Sequence, residues 1–503
     1  MRIISLILIA MLCLPAGAAE KKQKLDTTQL PQPIYDANPE FVDLYYAAWN
    51  LAWDKVKTQE GMFQSPYMDE GLWDDTIWIW DTEFMVLFCR YAPDIFPGIE
   101  SLDNFYQAIH NSKSSSLRIW HPDNPPFFPW VEYEYYKMTG DKQRIKHILK
   151  DERFLQRHYE WFNKITPSTK LHFEHWETKL EKCDIGYHWG GLQSGMDNTP
   201  REDGTGGRLL WVDALAQQTL SALYIKRLAD VIGDKATAKE YATKYETGKK
   251  LLNTYYWDNA DGFYYDIFDN SHSFNKVRTP ASFWAMLAEA PTAQQAMRMA
   301  GYATDPLEFG GKYPWKTVTP SHPAYNDSIG DYWRGAIWLP TAYMATKALE
   351  AYGHHQLAHR NSLNLLKLMS DTYRNYSPAT IWECYSPSAA KPAFRLRGSN
   401  LERVRPDFCG WSALGPISLF IENVIGFSNI DATKRLVEWH KHGSERQGIR
   451  NLRFGSIVTD IVAEGNQIEV ESNEKFTLMV NGKHFAVKPG KNSFRCDVIL
   501  AKK

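Results

Sequence analysis

The feature that most limits what this chain can fold into is a run of amphipathic segments, apolar about every 3.6 residues and arranged in pairs, between residues 38 and 443. "PEFVDLYYAAWNLAWDKV", "RLLWVDALAQQTLSALYIKRLADVIG" and "TAKEYATKYETGKKLLNTYYW" are the clearest examples. Further helices are predicted near 127–139, 143–165, 278–300, 335–352, 355–374, 411–424 and 430–440. The intervening loops are rich in Gly, Pro, Trp and Asp and lack apolar strands at β-α-β spacing, which disfavours a TIM barrel or a doubly wound sheet. An all-helical barrel or a solenoid remains. A solenoid needs a short sequence period, and these loops do not repeat one another.

The texture changes near residue 445. "LRFGSIVTDIVAEGNQIEVESNEKFTLMVNGKHFAVKPGKNSFRCDVIL" alternates apolar and polar residues, with turns expected at Glu464-Gly465-Asn466, Asn481-Gly482 and Pro489-Gly490. A small antiparallel β domain is therefore expected over 444–503, following a helical domain over 38–443 and a polar lead over 20–37. With little core of its own, it should pack on the helices.

Residues 1–19, "MRIISLILIAMLCLPAGAA", combine one basic residue, an apolar run and a small-residue end, the pattern of a secretory signal peptide. Export to the periplasm or cell surface is expected. Leu12 before Cys13 argues against a lipid anchor, and no later stretch reaches membrane-spanning length without charges. The remaining cysteines, Cys89, Cys183, Cys384, Cys409 and Cys496, allow one or two bridges but not a disulfide scaffold. A net charge of -2 and the lack of a long Lys/Arg block speak against nucleic acid as a partner. The oligomeric state is not legible.

Aromatic residues make up 14% of the chain, with 19 Trp, 27 Tyr and 24 Phe, many of them beside Asp, Glu, Asn or Arg. A large core explains much of this. The same pairing offers flat faces and hydrogen bonds to a sugar ring.

Four islands concentrate the pattern. "GLWDDTIWIWDTEF" holds Trp73, Asp74, Asp75, Trp78, Trp80, Asp81 and Glu83 at the start of a helical run, where Asp81 or Thr82 could cap exposed N–H groups. "GMDNTPRE", with Asp197, Asn198 and Arg201, is a polar loop whose arginine can offer a planar fork of donors. "DSIGDYWRGAIWLPTAYMATKAL" gathers Trp333, Arg334 and Trp338 near a helix start. "ATIWECYSP" places Glu383 between Trp382 and Tyr385, with Arg395, Arg397, Arg403 and Arg405 downstream as partners.

Two carboxylates brought to opposite sides of one pocket are what glycoside hydrolysis requires, roughly 6.5–9.5 Å apart in the inverting form. No cofactor or metal is expected. "HFEH", with His172, Glu174 and His175, lacks the spacing that sets zinc ligands on one helix face, and "NADGFYYD", with Asp258, Asp261 and Asp266, does not match an EF-hand loop.

The ordered set "WDTEF", "SGMDNTPR", "WDNADGFYYD", "YWRGAIW", "WECYSP" and "GWSALG" resembles the clan of inverting α-glycosidases that contains processing α-glucosidase I, mannosylglycerate-hydrolase-like enzymes and, more distantly, trehalases; it is nearest to glycoside hydrolase family 63. The resemblance implies an (α/α)6 barrel, a six-hairpin toroid, hydrolysing α-glucosides or related oligosaccharides. It assigns Asp197 as general acid and Glu383 as general base, and sets Trp80, Asp81, Asn198, Arg201, Trp333, Arg334 and Trp382 around the sugar. Glu83 departs from the familiar motif and is expected to reshape a subsite. A carbohydrate-binding protein without hydrolytic activity and a polysaccharide lyase on a helical toroid are the alternatives.

Overall fold

The computed structural model describes residues 24–71, 76–112, 118–173, 175 and 177–497. The expected signal peptide, Cys13, Trp73, Asp74, Asp75 and Glu174 lie outside them.

The described residues are mainly helical. In chain order the α-helices are α1 (Glu40–Asp54), α2 (Ile79–Cys89), α3 (Gly98–His110), α4 (Phe128–Thr139), α5 (Lys142–Lys146), α6 (Phe154–Phe162), α7 (Val212–Ile232), α8 (Lys235–Leu251), α9 (Phe283–Leu287), α10 (Ala293–Tyr302), α11 (Leu339–Ala351) and α12 (His355–Asn375). A final helical element begins as a 3-10 turn at Trp411–Leu414 and continues as a π-helix over Gly415–Ile425.

Two classes of helix follow from their sequences. All of α2 is buried, and so is nearly all of α11 and of the Gly415–Ile425 segment, as expected of helices apolar on every side. By contrast α8, α10 and α12 bury one stripe and expose the rest. The buried class makes a chain of contacts: α2 packs on α4, α4 on α7, α7 on α9, α9 on α11, α11 on the 411–425 element, and that element on α2 again. A second set of helices lies against these, with α3 on α2, α8 on α7 and α12 on α11.

Some expected helices are broken. The 143–165 stretch becomes α5, a π-helical turn at His147–Asp151 and α6. The 278–300 stretch is interrupted between α9 and α10, where Glu289 takes a left-handed backbone (φ 56°). The segment expected as a helix over 430–440 is instead two strands, Asn429–Asp431 and Leu436–Trp439. Val437 and Trp439 face the core alternately with their neighbours, a pattern too short to tell from a helical one by spacing alone.

Those strands open a four-stranded sheet completed by Phe476–Val480 and Lys483–Val487; Leu436–Trp439 and Phe476–Val480 run parallel, where an antiparallel arrangement was expected. A five-stranded sheet beside it is antiparallel throughout and takes its edge strand, Gln32–Tyr35, from the expected N-terminal lead. The hairpin at Asn481-Gly482 has both residues at positive φ, 49° and 84°, the geometry of a two-residue hairpin turn.

Short strands also occur among the helices. Glu181–Lys182, Tyr187–His188, Leu209–Leu210, Asp266–Phe268 and Phe274–Asn275 form one sheet, and Phe394–Arg397 pairs with Asn400–Arg403. Elements of two to four residues leave no alternating signature in the sequence.

Candidate active site

The buried helices α2 and α11 and the 411–425 element bring aromatic residues to their N-terminal ends, and there a cavity of about 620 Å³ opens. Trp80 and Asp81 enter it from the first turn of α2, Trp338 from just before α11, and Trp411 from the 3-10 turn. The rings form a wall: Trp333 stacks on Trp338 at 4.1 Å, Tyr332 meets Trp338 edge-on at 4.7 Å, and Trp411 lies 5.6 Å from Trp338 and 4.6 Å from Phe408.

Asp197 and Glu383 both line this cavity. Asp197 sits on a loop pinned beneath by Asn124, whose side-chain amide donates to the Gln193 carbonyl at 2.9 Å. Gly195 lets the loop lie on Trp80: its φ is +77°, and a Cβ there would fall 2.7 Å from the indole. The Asp197 carboxyl is exposed to the cavity while protein surrounds it on the other sides. That burial, reinforced by the charge of Glu383 and opposed by Arg395 and Arg397, pushes its pKa up to about 7.

Glu383 is buried and held by two donors. The Tyr332 hydroxyl donates to Oε1 at 2.9 Å, and the Arg405 backbone N–H donates to Oε2 at 3.1 Å. The two donors fix the orientation of the carboxylate. Tyr332 reaches it from a strained turn in which Asp331 and Tyr332 have φ of 36° and 63°.

Asp81 is not a helix cap. The N-terminus of α2 begins at Trp78 without a side-chain cap, and Thr82 Oγ1 instead donates to the Trp78 carbonyl at 2.9 Å. Burial, together with the charges of Asp69 and Glu70, raises the Asp81 pKa well above the usual carboxylate range. Glu70 also lines the cavity, joined to Lys55 at 3.0 Å and Arg405 at 3.4 Å, with its pKa pushed up by burial to about 7.

The other expected sugar contacts are placed differently. Asn198 is a brace rather than a lining residue: its Nδ2 donates to the Asp331 carbonyl at 3.0 Å and its Oδ1 accepts from the Trp333 N–H at 2.8 Å. Arg201 requires a correction. Its guanidinium is buried in two bidentate pairs, with Asp213 (2.7 and 2.7 Å) and Asp266 (2.7 and 2.6 Å), and stacks 4.2 Å over Trp211, leaving no fork for a ligand. Arg334 lies outside the lining and makes a bidentate pair with Asp203 at 2.7 and 2.8 Å. Trp382 is fully buried behind Glu383, under the Arg403 guanidinium at 4.8 Å. Glu83 is fully buried in α2 away from the lining, and burial raises its pKa well above the usual range.

Sequence reading missed Tyr332, Glu70, Trp120, His121 and Phe408, all of which line the cavity. Arg395, Arg397 and Arg405, flagged as partners of Glu383, line it too. Asp258 and Asp261 pair with Lys276, and the ring nitrogens of His172 and His175 are turned to backbone carbonyls.

Residues 120–400, which include Asp197 and Glu383, match the model of the mannosylglycerate hydrolase MGH1-like glycoside hydrolase domain. The chain belongs to that family. An uncharacterized protein of Borreliella burgdorferi is 26% identical over 89% of this chain and 94% of its own length. A periplasmic trehalase of Escherichia coli is 23% identical over 71% of this chain, which spans 64% of the trehalase. Among solved structures, a sialidase superposes with a TM-score of 0.66 at 14% identity, over 94% of this chain and 42% of that one. The GH63 mannosylglycerate hydrolase from Thermus thermophilus, in complex with glucose, superposes at 0.55 with 18% identity, over 75% of this chain and 99% of its own. At these identities the two structures speak for the fold. Among the described residues no helix is long and apolar enough to cross a membrane.

Proposed function

We propose that this member of the MGH1-like glycoside hydrolase family is an exported inverting hydrolase, exo-acting on α-glucosides or related α-linked oligosaccharides. The observation that carries the reading is the meeting of Asp197 and Glu383 on one aromatic-walled cavity, one acid with its pKa raised to about 7 and the other held by two hydrogen-bond donors.

In this reading Asp197, neutral below about pH 7, donates its proton to the glycosidic oxygen as the C–O bond breaks. Glu383 removes a proton from the water that attacks the anomeric carbon from the opposite face, so configuration inverts and no covalent sugar intermediate forms. Asp81, kept neutral by burial, can donate to a sugar hydroxyl, and Trp80, Trp338 and Trp411 offer faces to the ring.

The closed cycle of buried helices supports the architecture of an (α/α)6 barrel, with the active site at one end. The sheets over 429–495, joined by the strand at 32–35, support a β domain that begins nearer 427 than 444. Export rests on the leader-like first nineteen residues and is supported by the periplasmic name of the trehalase relatives.

Product analysis on a panel of α-glucosides and α-mannosides tests the whole reading. Initial release of the β-anomer, followed by NMR, is expected. Release of the α-anomer would overturn inversion, and full hydrolysis by both Asp197→Asn and Glu383→Gln would overturn the residue assignment.

A further inference from the structure

Outside the cavity, three side chains of different chemistry converge at one end of the small five-stranded sheet. One ligand atom each from Cys183, His188 and Asp269 lies within 4.8 Å of the other two. Their backbones are fixed independently. Cys183 closes the hairpin between Glu181–Lys182 and Tyr187–His188 by donating its N–H to the Gly186 carbonyl at 2.8 Å, and Asp269 is held by donating its N–H to the Arg208 carbonyl at 3.0 Å.

Both ring nitrogens of His188 face oxygen acceptors. Its Nδ1 lies 3.0 Å from the Leu209 carbonyl, an acceptor only, so Nδ1 carries a proton. Nε2 lies 3.2 Å from Asp269 Oδ2. In a neutral imidazole this Nε2 presents a lone pair to another acceptor, an arrangement a cation resolves by binding both. A ligating histidine with its other nitrogen donating to a carbonyl is the usual orienting arrangement at metal sites.

We propose that Cys183, His188 and Asp269 bind a single borderline-soft divalent cation of the zinc type. Thiolate, imidazole and carboxylate are its common ligands, and tetrahedral zinc sets nitrogen and oxygen donors roughly 3.3 Å apart, close to the His188–Asp269 separation. A modest rotation of Cys183 brings its sulfur in, the thiol proton leaves to solvent, and a water completes the shell. Glu181 and Asp184 add negative charge beside the thiol. The bound ion would tie the 181–188 hairpin to the residue that follows the Asp266–Phe268 strand.

Cobalt and zinc titrations of the full-length protein, freed of metal, test this at pH 7.5. Cys183 is the one cysteine among the described residues that is not buried, so a thiolate-to-cobalt charge-transfer band reports on it. Saturable one-to-one binding is expected, with the band lost in Cys183→Ser and affinity reduced about tenfold or more in Asp269→Asn. Affinity should fall from pH 7.5 to pH 5.5, because protons compete with the cation for its ligands. No saturable binding at pH 7.5, or binding unchanged in both variants, overturns the proposal and leaves an imidazolium–carboxylate pair. If Cys183→Ser does not fold, zinc must slow alkylation of Cys183 in the unaltered protein; an unchanged rate overturns the proposal equally.

Discussion

Tyr332 reaches across 51 positions of sequence to donate its hydroxyl to Glu383 Oε1 at 2.9 Å, and it does so from a backbone that few non-glycine residues adopt. The proposed base is therefore oriented by a side chain that itself lines the cavity. Loss of a hydrogen bond to a charged group costs about 1.5–3 kcal/mol, so Tyr332→Phe should lower kcat about tenfold to a hundredfold with a small change in KM. Steady-state kinetics on any cleaved α-glycoside checks this; a KM effect alone would make Tyr332 a binding residue.

Asp197→Asn should cost about 10²–10⁴ in turnover of substrates with poor leaving groups and far less for activated glycosyl fluorides, which need no protonation. The folded-state pKa near 7 lies above the unfolded carboxylate value, so this group's contribution to stability is complete below about pH 4 and is lost as pH rises through 7. Asp197→Asn should accordingly raise Tm relative to the unaltered protein at pH 8 and not at pH 4. Calorimetry at the two values decides it.

Arg201→Ala should destabilise the fold by about 3–5 kcal/mol, because it strands two buried carboxylates, Asp213 and Asp266. Denaturant titration measures the loss. Arg201→Lys should keep part of the stability while leaving KM unchanged in what remains folded; a rise in KM at full stability would return Arg201 to the sugar.

Gly195→Ala forces a methyl group to within 2.7 Å of Trp80 at a φ that L-residues resist. The Asp197 loop must lift from the indole, and a displacement of about 1 Å in a catalytic group is enough to lose about a hundredfold in rate. A crystal structure of the variant should show the shifted loop, with activity reduced accordingly.

Acid should loosen the seat of the C-terminal sheets on α12. His355 stacks on His440 at 3.9 Å and His359 on His442 at 3.5 Å. Burial, followed by the neighbouring His359, His440, His355 and Lys441, holds the His442 pKa down to about 2. The stability it contributes is complete above the unfolded value near 6.5 and is lost as pH falls below it. The denaturation midpoint should drop between pH 7.5 and pH 5, and by less in His442→Asn.

Asp197 and Glu383 could be picked out as candidates because each stands inside its own short cluster, "GMDNTPRE" and "WECYSP", where turn residues and aromatics leave a carboxylate little other employment. The helical class was legible from periodicity for the same local reason. What escaped depends on distance. The partners of Arg201 lie 12 and 65 residues away, so its guanidinium looked free when it was already committed. Tyr332 owes its role to two positive φ angles, and Glu70 to Lys55 and Arg405 closing around it. The sheet strands at 429–439 are too short for a period of two to outvote one of 3.6.

One consequence follows from the brace at Asn198. A single amide ties the loop of residue 197 to the Asp331–Trp333 turn that carries the tyrosine gripping residue 383, so the proposed acid and the proposed base share one mechanical linkage. The Phe394–Arg403 hairpin at the rim hangs from the same turn, the Leu396 N–H donating to Asp331 and the Tyr332 N–H donating to the Phe394 carbonyl. Arg395 and Arg397 on that hairpin line the cavity and oppose the rise in the Asp197 pKa, so a change of charge at the rim would reset the proposed acid along with the fit of the guest.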